Sequence, residues 1–221
     1  MQEYTKVLTE WYRSHANAQK AKAMEAYLRD QYPFLGIKTP ERRQLLKQFK
    51  AEHGMPNKDL LLEIVQELWQ LPEREFQNVA MDLLGTYSKH AKPEDIDIFE
   101  QLITMKSWWD TVDYLAASTV GDHLKRFPQL IVPYTERWIH SDNLWLRRSA
   151  ILYQLKYKKQ TDVERLFAYI QLGKDEQDFF IRKAIGWALR EYAKTDADAV
   201  KRFVAETKLS PLSEREALKR L

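Results

Sequence analysis

The 221-residue chain contains no cysteine. Disulfides, a thiol nucleophile and a cysteine-ligated zinc are excluded, and a reducing cytoplasm is a compatible setting. Glycine and proline are scarce, at 6 and 8 residues, which leaves few tight turns and favours long helices. No apolar run reaches the length of a membrane span, and the start Met1-Gln2-Glu3-Tyr4-Thr5-Lys6 has no signal-peptide layout. No segment alternates with the period of two that a strand needs. The 5 histidines (His15, His53, His90, His123, His140) are scattered without ligand spacing, so no metal and no other cofactor is expected. A strong charge of one sign is lacking too. Lys and Arg total 35 against 32 Asp and Glu, a net +3, so only local clustering of basic residues can argue for nucleic acid.

What is present is apolar and aromatic. At 44% hydrophobic, with 7 Trp, 11 Tyr and 9 Phe, the chain can bury a substantial core. The spacing of its apolar residues predicts helix after helix. Tyr4, Val7, Leu8, Trp11 and Tyr12 form a first stripe. Asn17 reads as the cap of a second helix carrying Ala21, Met24, Tyr27 and Leu28. After the turn at residues 32–38, Thr39 reads as an N-cap and Pro40 as the first residue of a helix ending near Gly54. Further helices are expected at 57–71, 73–90, from Pro93, from the Trp-Asp stretch to about Phe127, and at 129–140 and 143–159. The last are expected at 162–173, 177–194, 197–208 and 213–221. The chain stops inside that last apparent helix, which leaves a further tail open.

Phe76, Trp109, Trp145 and Phe179 each stand near the start of a second helix, at roughly the 35-residue spacing of helical-pair repeats. Ala80, Ala150 and Ala184 follow three of them. The expectation is an all-α fold: one domain over 1–221, an α-solenoid of helical pairs with a concave basic face. Such a trough suits a duplex, a peptide or another protein.

The densest chemistry is Lys106-Ser107-Trp108-Trp109-Asp110-Thr111-Val112-Asp113. On a helix, Trp109 and Asp113 share a face. Two readings stand: tryptophans packed on a neighbouring helix beside a solvated Asp, or a carboxylate and an indole wall holding a positive charge. Basic residues recur beside aromatics further on. Trp145 adjoins Arg148, with Arg147 beside it and Lys156, Lys158 and Lys159 beyond. Lys183, Trp187 and Arg190 share a face. Arg42 and Arg43 follow the helix start at Thr39, where free N–H groups and the dipole favour phosphate. Together they fit backbone binding of a duplex, although each alone also reads as a solvated face. Gly186 inside a helix permits close approach, of a ligand or of another helix.

These motifs, in order and over essentially the whole chain, resemble the DNA alkylation repair family, the AlkD-like DNA glycosylases built from HEAT-like repeats. The resemblance is carried by residues 36–43 (GIKTPERR), 71–76 (LPEREF), 106–113 (KSWWDTVD), 141–148 (SDNLWLRR) and 179–187 (FFIRKAIGW). It implies a monofunctional hydrolase that removes cationic N3- and N7-alkylated purines from duplex DNA in base excision repair. It implies Asp113 as the catalytic carboxylate, Trp109 and Trp187 as its aromatic walls, and Arg148 as the arginine near the site. Lys38 departs from the family pattern, which has Gln there. Candidate DNA contacts are Arg148, Lys38, Thr39, Arg42, Arg43, Tyr27, Arg147, Lys156, Lys183 and Arg190. The implied partner is double-stranded DNA with alkylated purines, engaged by a cytoplasmic, nucleoid-associated monomer with no membrane contact. The resemblance also implies that a lesion can be processed while still stacked.

The chemistry is coherent on its own terms. An N-alkylated purine is already a cation and leaves without a general acid, so the enzyme has to stabilise the oxocarbenium ion growing on the sugar. The rival readings are a non-catalytic helical-repeat binder of damaged or branched DNA, and a protein-binding scaffold.

Overall fold

The computed structural model describes residues 1–219, and these are helical throughout, without a strand among them. The chain divides into two compact units, Met1–His90 and Ala91 onward.

The first unit contains α1 (Glu3–Ser14), α2 (Ala18–Tyr27), α3 (Thr39–His53), α4 (Leu61–Gln70) and α5 (Arg74–Tyr87). α4 and α5 form an antiparallel pair, and α1 and α3 pack on it. Leu8, Tyr12, Phe49, Leu68, Trp69, Phe76 and Leu83 are fully buried between them. Asn17 caps α2 by accepting from the Lys20 N–H (3.0 Å), as its sequence position predicts. The stripe expected on α2 is only partly a core stripe: Ala21 and Leu28 are buried, whereas Tyr27 is 72% exposed. The turn that follows is held by a buried carboxylate. Glu75 of α5 accepts from the N–H groups of Leu35, Gly36 and Ile37 at 2.9, 2.9 and 3.0 Å. Gly36 sits there at φ +87, with Asn17 O where a Cβ would stand, so only glycine fits.

Thr39 is not the N-cap. The Arg42 N–H donates to the Lys38 carbonyl (2.8 Å), which makes Lys38 the cap, Thr39 the first helical residue and Pro40 the second. Proline is tolerated at the second position for the same reason as at the first, because those N–H groups have no helical partner.

The second unit contains α6 (Ile96–Thr104), α7 (Trp109–Tyr114), α8 (Gly121–Arg126), α9 (Ile131–Ile139), α10 (Leu144–Leu152), α11 (Val163–Gly173), α12 (Phe179–Tyr192), α13 (Ala197–Glu206) and α14 (Pro211–Leu218). A π-helical turn, Leu115–Val120, joins α7 to α8 without a break. α10 packs against α6, α7, α9, α11 and α12, so it is the spine of this unit. α12 is sandwiched between α10 and α14. The expected helical pairs are thus present, and the anchors Ala80, Ala150 and Ala184 are buried.

Two expected helices are shorter than their apolar spacing predicts. The Trp-Asp helix starts only at Trp109, because Lys106 turns left-handed (φ 47) and Trp108 is extended. α10 stops at Leu152 rather than near Lys159. There the Tyr153 carbonyl lies where a Cβ on Gly121 would be (2.5 Å), and the chain turns away into a short 3-10 segment at Lys158–Gln160. The final expected helix, 213–221, is observed as α14, and Arg220 and Leu221 lie outside the described residues.

Candidate functional site

The π-helical turn follows directly on Asp113, and such turns are frequent at functional sites. α7 is short, and Trp109 and Asp113 lie one turn apart on it, both partly exposed. Arg148 rises from the middle of α10. Its Nε donates to Asp113 Oδ1 (2.7 Å) and its Nη2 to Oδ2 (2.8 Å), a two-point fork. Its Nη1 donates to the Phe180 carbonyl at the start of α12. One guanidinium therefore ties α7, α10 and α12 together.

The pair is largely shielded from water. The Arg148 side chain is 5% exposed and that of Asp113 16%. Burial pushes the Asp113 carboxyl up from the ordinary range, while Arg148, through its bonds and its charge, pulls it back down. Each carboxylate oxygen spends one lone pair on Arg148 and keeps another for a further partner.

Behind the pair lies an aromatic box. Trp108 meets Trp145 at 5.8 Å and Phe180 at 5.1 Å between centroids, and Trp145 meets Phe180 at 5.1 Å. The Arg148 guanidinium lies 5.9 Å from the Phe180 ring centre. Trp108 and Phe180 were missed by a reading that follows helical faces, since Trp108 precedes the helix and serves as its N-cap. The doubled Phe179-Phe180 was the available signal. Phe179 remains 47% exposed beside this box. Trp187 is half-buried on α12, two turns beyond Phe180 and on the same face.

The other candidates are distributed as follows. Arg147 donates to the Ser141 carbonyl (2.7 Å) and pairs with Glu176 (3.4 Å). Lys183 and Arg190 converge on Glu216 of α14, at 3.0 and 2.5 Å, and they hold its carboxyl below the usual range. Lys156 donates to Ser118 of the π-helical turn (2.6 Å). Tyr27, Lys38, Thr39, Arg42 and Arg43 belong to the first unit. There Arg42 is buried on Asp82 (3.0 Å), Arg43 lies 3.6 Å from the same carboxylate, and Lys38 and Thr39 are exposed. Arg148 is the basic candidate that the fold brings to Asp113, and it stands behind the carboxylate rather than out in solvent. Gly186 answers its own question: a Cβ there would stand 2.5 Å from Glu216 Cβ and 2.8 Å from Ser213 O, so the close approach is that of α14.

Among the described residues no group of His, Asp or Glu is arranged to hold a metal ion, and no helix is long and apolar enough to cross a membrane.

The sequence profile described as DNA alkylation repair enzyme matches residues 8–221. The chain belongs to this family. A solved structure described as a predicted DNA alkylation repair enzyme from Enterococcus faecalis is 34% identical, with a TM-score of 0.86 over 93% of this chain and 96% of that one. The smu.31 protein of Streptococcus mutans UA159 is 20% identical, with a TM-score of 0.61 over 81% of this chain and 97% of that one, and shares the fold. No curated protein matched the chain. Membership in the family supports a role in repairing alkylation damage, with DNA as partner. In that light a shielded carboxylate flanked by indoles is the part of the second unit most suited to a cationic lesion.

Proposed function

We propose that the protein is a DNA glycosylase that hydrolyses the N-glycosidic bond of cationic N3- and N7-alkylated purines in duplex DNA. The observation that carries this reading is the Asp113 carboxylate, fixed at two points by Arg148 and one turn from Trp109. The alkylated base leaves as a neutral purine and needs no proton. Positive charge builds on the sugar as the bond breaks, and Asp113 meets it. At ~4 Å and an effective dielectric of ~20, unit charges attract by roughly 4 kcal/mol, about a thousandfold in rate. Arg148 offsets part of that attraction and in return holds the carboxylate without reorganisation, which is the economical arrangement for a developing cation. A remaining lone pair of Asp113 orients the attacking water. Trp109 and Trp187 supply indole faces for the cationic base and sugar.

A second reading has one observation in its favour. A two-point Arg-Asp pair in a shielded setting is also what a purely structural ion pair looks like, and it would suit a non-catalytic binder of damaged or branched DNA. Single-turnover release of N7-methylguanine from a defined duplex separates the two. The glycosylase reading expects fast release by the wild-type chain and collapse in Asp113→Asn, with duplex affinity kept. Absence of release from the wild type, with binding retained, selects the binder.

A further inference from the structure

The basic residues singled out by sequence are mostly spent on carboxylates: Arg42 and Arg43 on Asp82, Arg147 on Glu176, Arg148 on Asp113, Lys183 and Arg190 on Glu216. The exposed cations that are not so spent gather elsewhere. A cleft of about 700 Å³ opens in the second unit where α8, the turn after α10 and the end of α12 meet, and Lys125, Lys156, Lys158 and Lys159 line it. None of these four forms an ion pair among the described residues. Glu191 is the one carboxylate in the lining among the described residues, and Lys194 already holds it at 2.6 Å. The cleft thus concentrates four uncompensated charges, more than the net +3 of the whole chain. Lysines near helix C-termini do answer the helix dipole, but one or two would suffice for that. Lys158 also holds a left-handed backbone (φ 54), a conformation that a non-glycine residue adopts at a cost and that is found most at functional positions.

The cleft is joined to the carboxylate site. Asp113 and Ser118, which receives Lys156, lie on one continuous helix. At 1.5 Å per residue they are roughly 8 Å apart along its axis. From Arg148 to Gln154 of the cleft lining the offset along α10 and its turn is about 9 Å. A nucleic acid strand advances 3.4 Å per nucleotide, so a backbone whose sugar sits at Asp113 reaches the cleft about two to three nucleotides away.

We propose that this cleft seats the phosphodiester backbone of the DNA duplex about two to three nucleotides from the lesion, with Lys125, Lys158 and Lys159 as phosphate contacts beside Lys156. The proposal rests on duplex DNA as the ligand of the carboxylate site. Phosphates in the cleft neutralise the surplus charge, and the spacing sets the register that brings the lesion to Asp113.

The experiment is a salt titration of binding. The wild-type chain and the triple variant Lys125→Gln/Lys158→Gln/Lys159→Gln are titrated against a fluorescent duplex carrying a stable abasic-site analogue. Three lost contacts are expected to lower affinity at least ~10-fold and to make the log–log salt slope shallower by about 2 to 3. A second arm needs no variant. A neutral methylphosphonate placed singly along the strand is expected to weaken wild-type binding most at the second or third phosphate from the analogue, and to cost the triple variant nothing there. An unchanged slope, or a methylphosphonate effect equal in both proteins, overturns the proposal. So does loss of binding to inorganic tripolyphosphate with the duplex slope intact, which would make the cleft a seat for a free polyphosphate. Base release is measured separately on the wild type. A wild type that binds with the expected slope and releases no base sinks the glycosylase reading and leaves the cleft standing.

Discussion

Asp113 and Arg148 form a couple in which neither residue can be changed alone. Asp113→Asn keeps the shape but removes the charge and leaves the Arg148 guanidinium facing an amide in a setting where it is 5% exposed. Excision is expected to fall about a thousandfold or more, the size of the lost Coulombic term. Breaking a shielded pair by removing one partner is also expected to cost about 3 kcal/mol of stability, which thermal unfolding reads directly. The acid side of the rate profile is a second check. Asp113 works ionised, and burial raises its pKa, so excision is expected to fall as pH drops through a value above the ordinary ~3.9 of an aspartate. Arg148 pulls that pKa down. Arg148→Gln should therefore move the acid limb to still higher pH, and should lower the plateau about a hundredfold as the carboxylate loses its fixed orientation. A limb that stays in place while the plateau falls would mean that Arg148 acts only on folding.

At the scale of helices, apolar spacing made most of the fold legible. Paired helices, their order and the buried alanines that let second helices approach all followed from it. What spacing could not show was where one backbone presses on another. The π-helical turn after Asp113 arises in a run of small residues, Ala116 to Thr119, beside a glycine that must admit the Tyr153 carbonyl. A pattern of apolar residues is blind to that contact. The Trp-Asp stretch was legible as a site because its residue types are unusual together, whereas the partnership of Asp113 with Arg148 joins positions 35 apart and needed the fold. Gly186 was the clearest ambiguity, and α14 resolves it. Gly186→Ala drives a Cβ into the Glu216 side chain and the Ser213 carbonyl, so α14 has to shift outward. The expected loss is about 1–3 kcal/mol in unfolding free energy, together with faster amide exchange along 211–218. Unchanged protection of that helix would show that it accommodates the methyl group freely.

For the whole molecule, a net charge of only +3 has to serve a polyanionic partner, so what matters is which cations are left unpaired. Glu216 is the place where this balance can be tipped with one atom. It is 9% exposed, and it holds both Lys183 and Arg190 from across the α12–α14 contact. Because these partners keep its carboxyl below the usual range, it stabilises the fold at neutral pH, and that contribution fades only as pH falls through its depressed value. Glu216→Gln removes the charge and keeps the volume. The folded chain should lose stability, by about 1–3 kcal/mol at neutral pH and by less in acid, where wild-type Glu216 also takes up a proton. Duplex binding should move the other way. Two released cations on the Trp187-bearing helix are expected to tighten binding and to steepen the log–log salt slope by about 0.9 for each phosphate they reach. Stability and affinity changing in opposite directions would show that α14 holds part of the positive charge in reserve from the DNA. A destabilised variant with an unchanged slope would instead place Lys183 and Arg190 wholly in the service of packing, and leave the unpaired lysines beyond α10 to carry the duplex.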